Sequence, residues 1–113
     1  MRRRMMKSKI HRATVTGAEL DYAGSISLDT ELMKRADILE FEQVAVLDVD
    51  NGNRFETYAI AGHAGQVQLN GAAARLVEVG HKVIVISYAD YDDVELSSFE
   101  PLVVKVDSDN ALR

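Results

Sequence analysis

Short runs of alternating apolar and polar residues, bounded by turn-forming residues, make up most of the chain. Ile10 to Thr16 is rich in β-branched side chains and stops at Gly17, which predicts a strand and then a turn. Tyr22 to Leu28 predicts a second short strand. Asp29 stands where its carboxylate can accept from the free amides of a first helical turn, so a short helix is expected through Arg35. Val44 to Val49 and Arg54 to Ile60 flank Asp50-Asn51-Gly52-Asn53, and Asn-Gly tolerates the positive φ angles of a tight hairpin. Asn70-Gly71 precedes three alanines, Arg75 and Leu76, so Asn70 reads as a helix N-cap and Gly80 as the helix end. Lys82 to Tyr88 and Pro101 to Val106 are further strands, separated by a turn-like acidic stretch from Asp90 to Asp93. Ser108 to Arg113 reads as a polar, frayed tail. Many short strands with two brief helices predict a mainly β fold, a small closed β-barrel.

Composition narrows the chemistry. The 113 residues amount to a single domain, with no repeat or Pro/Gly/Ser linker dividing them. A chain of this size buries roughly two-thirds of its unfolded surface, enough for one core but not for a separate cofactor domain, which excludes a two-domain dehydrogenase or kinase. The absence of Cys removes disulfides, thiol nucleophiles and thiolate metal sites, and three scattered His lack metal-ligand spacing, so no metal is expected. A net charge of −5 argues against a nucleic-acid partner. Arg2, Arg3 and Arg4 read as a solvated end or a strand edge. No apolar signal segment follows them, and no stretch approaches the roughly 18 apolar residues of a membrane span. A cytoplasmic protein with no membrane partner is expected.

Few residues carry chemistry by pattern alone. Gly24-Ser25 is a turn or a permissive strand position, or else a site where glycine permits strain that presses the Ser25 hydroxyl against the Gly24 carbonyl and converts amide to ester. Arg54, Glu56 and Tyr58 share one strand face by alternation, with Phe55 and Thr57 on the other. Arg54 is then a surface charge and Tyr58 a packed aromatic, or the two form an anion fork beside a phenolic proton donor. Gly71, Ala72 and Ala73 present free amides at the predicted helix start, solvated or open to a carboxylate. Lys9 and His11 share a strand face. His63 and His81 carry no usable signal.

Taken in order, Lys9 to Thr16, Tyr22-Ala23-Gly24-Ser25, Asn51 to Ile60 and Asn70 to Ala74 resemble bacterial aspartate α-decarboxylase (L-aspartate 1-decarboxylase) over about Met5 to Pro101. The resemblance implies a closed six-stranded double-psi β-barrel with short helices. It implies a homotetramer with active sites between subunits, and leaves room for a maturation factor. It also implies self-cleavage between Gly24 and Ser25 into residues 1–24 and 25–113, with a covalent pyruvoyl group made from Ser25. On this resemblance Ser25 supplies the Schiff-base carbonyl and Tyr58 the proton. Thr57, Gly71, Ala72, Ala73, Arg54 and Lys9 bind substrate, while His11, Tyr22 and Asn70 line the pocket. The implied activity converts L-aspartate to β-alanine and carbon dioxide, supplying pantothenate and coenzyme A synthesis. Strict alternation separates Thr57 from Tyr58, so both serve one pocket only if the strand is twisted or bulged or lies at a subunit boundary, and an intersubunit site would resolve that tension. Leu47 departs from relatives that carry a bulky aromatic there. The alternative that pattern alone supports is a non-catalytic small β-barrel that binds a ligand or protein.

Overall fold

The longest element in the computed structural model, which describes residues 1–113, is β1 (Arg2–Thr14), lying antiparallel to β7 (Lys82–Asp92) and parallel to β8 (Leu102–Lys105). β1 begins eight residues before the predicted strand because its basic start meets the acidic stretch. Arg2, Arg3 and Arg4 stand opposite Asp92, Tyr91 and Asp90. Their Nε atoms approach Asp92, Asp93 and Asp90 at 3.7, 3.5 and 3.2 Å. Asp90 to Asp93 is therefore not a turn. It finishes β7 and enters the single-turn helix α2 (Asp93–Leu96), whose Glu95 Oε1 accepts from the Asp92 amide at 2.8 Å. Opposite charges facing each other across two strands favour that pairing by about 0.2–1 kcal/mol each. Register shifts at Met6/Ser8 and Ile10/Ala13, with Arg12 at φ 58°, bend β1 and turn its side chains.

Only the end of the predicted Tyr22–Leu28 strand forms. β2 (Gly17–Glu19) is followed by a loop, and only β3 (Ile26–Asp29) continues, fully buried. Gly24 and Ser25 take φ of 55° and 85°, which an extended strand cannot hold. The predicted cap at Asp29 forms: its Oδ1 accepts from the Glu31 amide at 2.8 Å and starts α1 (Thr30–Arg35), while Oδ2 accepts from the Gly65 amide at 2.8 Å. β4 (Gln43–Asp48) and β5 (Arg54–Gly62) make the predicted hairpin, with Gly52 at φ 78°. β6 (Val67–Asn70) was not predicted, and it pairs with β2 and β3. It runs into a 3₁₀ turn, Gly71–Leu76, that stops short of Gly80. Asn70 makes no side-chain cap there, because its amide is engaged inside the protein.

The strand order is β2-β6-β3-β5-β4-β7-β1-β8, eight strands rather than the expected six, and the hydrogen-bonded ladder does not close. Its two end strands, β2 and β8, are three and four residues long and each pairs on one side only. Ile10, Val15, Ile26, Leu28, Val46, Leu69, Val83 and Val85 belong to one buried cluster to which every strand except β2 contributes. No helix is long and apolar enough to cross a membrane.

The tail is not frayed. Asn110 is buried, its Oδ1 accepting from the Thr14 amide at 2.7 Å and its Nδ2 donating to the carbonyls of Thr14 and Gly65 at 2.8 and 2.9 Å. Arg113 N donates to the Lys105 carbonyl at 3.0 Å.

A second polar latch closes the β4–β5 hairpin. Buried Asp48 accepts from the amides of Asp50 and Asn51 at 2.8 and 3.2 Å and pairs with His81 Nδ1 at 2.7 Å. Asp50 Oδ2 accepts from the Lys82 amide at 2.7 Å, so these three clustered side chains are committed to hydrogen bonds with the protein. The hydrogen bond to Asp48 raises the His81 pKa above its ordinary value, aided by the charges of Asp48, Asp50 and Glu78 and opposed by burial. A raised folded-state pKa stabilises the fold fully below about pH 6.5, the unfolded value, and that contribution fades as pH rises through the folded value. His81→Asn should flatten this dependence: the urea midpoint of the wild type, but not of the variant, should fall between about pH 6 and about pH 8.5 by the His81 contribution. Equal pH slopes for both proteins would remove the latch as the titrating element.

Candidate active site

Ser25 sits at the entry to β3, almost fully buried, and it is a non-glycine residue held at positive φ directly after a glycine that is also at positive φ. Such backbone costs about 1–3 kcal/mol and persists only when neighbours hold it. They do: the Ser25 carbonyl accepts from the Asn70 amide at 2.8 Å, and the Ser25 Oγ donates to the Gly24 carbonyl oxygen in an unusually close contact. The hydroxyl is thus folded back onto the peptide bond that precedes it. Asn70 Nδ2 donates to Ser25 Oγ at 3.4 Å and to Ser27 Oγ at 3.0 Å.

Close approaches are made to bare backbone at both Gly24 and Gly71. A Cβ on Gly24 would lie 2.7 Å from Tyr58 Oη, so the glycine lets the phenol approach the backbone at Gly24. Gly71, at φ 62°, packs from the other side, where a Cβ would stand 3.3 Å from the Gly24 Cα. A cavity of about 390 Å3 opens at this point, lined by Gly24, Ser25, Phe55, Glu56, Thr57, Tyr58, Asn70, Ala72, Ala73 and Leu76. Tyr58 packs its ring near Phe41, at 6.2 Å between centroids. Thr57 and Tyr58 both border the cavity although they alternate on β5.

The sequence is similar, over its whole length, to known proteins. A family model described as aspartate decarboxylase matches residues 1–113. The chain belongs to the aspartate decarboxylase family. An aspartate 1-decarboxylase of Clostridium botulinum (strain 657 / Type Ba4) is 57% identical over 108 residues, which cover 94% of this chain and 85% of that protein. An aspartate 1-decarboxylase of Campylobacter jejuni (serotype O:6) is 59% identical over 107 residues, covering 94% of this chain and 85% of the relative.

Measured against what resemblance to this family implies, one chain brings together part of the expected set. Ser25, Tyr58, Thr57, Asn70, Ala72 and Ala73 border the cavity, and Gly71 packs behind it. Tyr22, in the exposed loop before Gly24, contributes its carbonyl beside Gly71. Lys9, Arg54 and His11 do not border it. Lys9, Ile86, Ala45 and Glu56 form one cross-strand row over β1, β7, β4 and β5, and Ile84, Leu47 and Arg54 form the next. Lys9 and Arg54 therefore share the outer face of the sheet, as cross-strand neighbours project to one side. His11 borders a separate cavity with Arg12, Lys82, Lys105 and Arg113, and its pKa is lowered by burial and by the charges of Lys9, Arg12 and Lys105. Phe55, Glu56 and Leu76 also line the Ser25 cavity, positions that sequence reasoning did not assign to it. Ser27 was also missed, and its only signal is its place two residues beyond Ser25 on a strand.

Proposed function

We propose that this chain cleaves itself between Gly24 and Ser25 and then, as a pyruvoyl enzyme, converts L-aspartate to β-alanine and carbon dioxide. The supporting observation is the contact of the Ser25 hydroxyl with the Gly24 carbonyl at two consecutive positive φ angles, in a chain of this family. Attack by Oγ on the Gly24 carbonyl carbon forms an ester and breaks the peptide C–N bond, releasing the Ser25 amine. Elimination breaks the Cβ–O bond, frees the Gly24 carboxylate and leaves dehydroalanine, whose hydrolysis releases ammonia and gives pyruvoyl. Every atom of that group except the new carbonyl oxygen comes from Ser25, so the residues present fit it.

The pyruvoyl group supplies an electrophilic anchor for the substrate amine and a sink for the electrons released with carbon dioxide. The chain's own groups do the rest. Tyr58 Oη, at the Gly24–Ser25 backbone, donates the proton that replaces the lost carboxylate. Thr57 and the Gly71–Ala73 segment hold substrate between β5 and the 3₁₀ turn. Asn70 lines the floor.

The cavity of one chain has no Lys or Arg on its walls and one acid, Glu56, which is unsuited to a dianionic substrate. Lys9 on β1 and Arg54 on β5 share an outer sheet face, with β7 and β4 between them. We therefore propose a homotetramer in which this face of one subunit, with His11, completes the Ser25 cavity of the next. Such charge-assisted contacts contribute about 1.5–3 kcal/mol each. Closure of the open ladder into a double-psi barrel by side-chain packing, a single folding domain, a cytoplasmic setting and a role in pantothenate synthesis belong to the same proposal. A maturation factor is compatible with it.

Intact-mass spectrometry of denatured protein should show fragments of 24 and 89 residues, and borohydride with aspartate should add a reduced adduct to the larger one only. A full-length mass that persists on ageing would rule out self-processing and favour a non-catalytic binding barrel.

A further inference from the structure

Three side-chain amides lie two residues apart along β6 and the residue before it, and they hand one polarity to Ser25. The backbone N–H of His63 donates to Gln66 Oε1 at 3.0 Å. Gln66 Nε2 donates to Gln68 Oε1 at 3.4 Å, and Gln68 Nε2 donates to Asn70 Oδ1 at 2.8 Å. Asn70 Nδ2 then donates to Ser27 Oγ and Ser25 Oγ at 3.0 and 3.4 Å. A backbone N–H can only donate, so it fixes the oxygen end of Gln66, and each amide fixes the next. Two glycines make room for the series. A Cβ on Gly17 would stand 2.7 Å from Gln68 Oε1, and one on Gly62 would collide with Gln66 Oε1.

We infer that Gln66 and Gln68 are positioning residues for self-cleavage: through Asn70 they keep an N–H donor, rather than a carbonyl, against the Ser25 hydroxyl. The inference rests on the cleavage proposed above. With Asn70 donating, the Ser25 proton has no acceptor there and points at the Gly24 carbonyl oxygen, as observed. Attack then forms the Oγ–carbon bond while that proton passes to the oxygen that gains charge, with no co-reactant. A reversed Asn70 amide would present its carbonyl to Oγ and draw the proton away.

Gln68→Glu tests the polarity without opening a gap. Its carboxylate accepts from both Gln66 and Asn70, so every polar group keeps a partner while Asn70 turns around. Cleavage, followed by intact mass, should slow about five- to tenfold against wild type at about pH 8, the loss of one net hydrogen bond. The ratio to wild type should recover towards about pH 5, where the half-buried carboxyl regains a proton and can donate to Asn70 again. Gln68→Leu should be slow at both pH values, since it has nothing to titrate. A purely structural role for Gln68 predicts no recovery. In uncleavable Ser25→Ala protein, the Asn70 side-chain NH2 protons should show nuclear Overhauser contacts to the Ser27 β-protons, and Gln68→Glu should abolish them at about pH 8. A wild-type chain that never cleaves overturns the reading of the site itself. A cleaving chain whose Gln68→Glu ratio to wild type is the same at both pH values, or whose Asn70 contacts survive that substitution, overturns the relay alone.

Discussion

Ser25→Ala is expected to leave one 113-residue chain with no decarboxylase activity above background. The substitution removes the only hydroxyl in contact with the Gly24 carbonyl, and with it both the nucleophile and the source of the electrophile. No other group borders the cavity that could take over: Thr57 is nearest in kind but lies on β5, and the chain has no Cys. Alanine keeps the buried volume at this site nearly unchanged, so folding should survive apart from the modest extra strain of holding alanine at φ 85°. Intact mass and carbon dioxide release measure the two consequences separately. An uncleaved variant that still decarboxylates aspartate would place the electrophile elsewhere, whereas a cleaved variant would identify a different scissile bond.

Tyr58→Phe should separate maturation from turnover. The ring keeps its packing beside Phe41, and the Ser25 Oγ to Gly24 contact does not involve the phenol, so the two fragments should form as in wild type. Turnover should fall by about 10²–10⁴, the range for removal of a positioned proton donor. The phenolic oxygen is held where a single methyl on Gly24 would touch it, which puts a proton source directly over the reacting backbone. A fall in kcat with KM near the wild-type value identifies the proton donor, while a rise in KM alone would make Tyr58 a binding residue.

Local signals were the legible part of the fold. Asp29 caps its helix and Asn51-Gly52 turns its hairpin because both act on amides within three residues. Most of the errors involve partners far along the chain, the exception being the Tyr22–Leu28 strand, which the positive φ of Gly24 and Ser25 cuts short. Arg2 to Arg4 extend β1 only because Asp90 to Asp93 return beside them, and Asn110 is ordered by Thr14, 96 residues away. Asn70 looked like a helix cap, yet its amide turns inward once β3 and β6 pair and bring Ser25 and Ser27 within reach. Ser25 and Tyr58 were legible as a set through family resemblance, but no spacing rule indicates that Gly24 lets them meet. Lys9 lies on β1, away from the cavity, and Arg54 lies beyond Glu56 on β5, outside its lining, which leaves the cavity of one chain without a cation.

The place of β1 within the sheet would give the smaller product of the proposed cleavage an unusual status. It lies between β7 and β8, with an eleven-residue partner on one side and a parallel neighbour on the other, and Asn110 ties its last residue to Gly65. Cutting after Gly24 would therefore remove a covalent connection without releasing a propeptide. Residues 1–24 would stay on as a non-exchanging strand of the finished molecule, and the two products could part only by unfolding the whole.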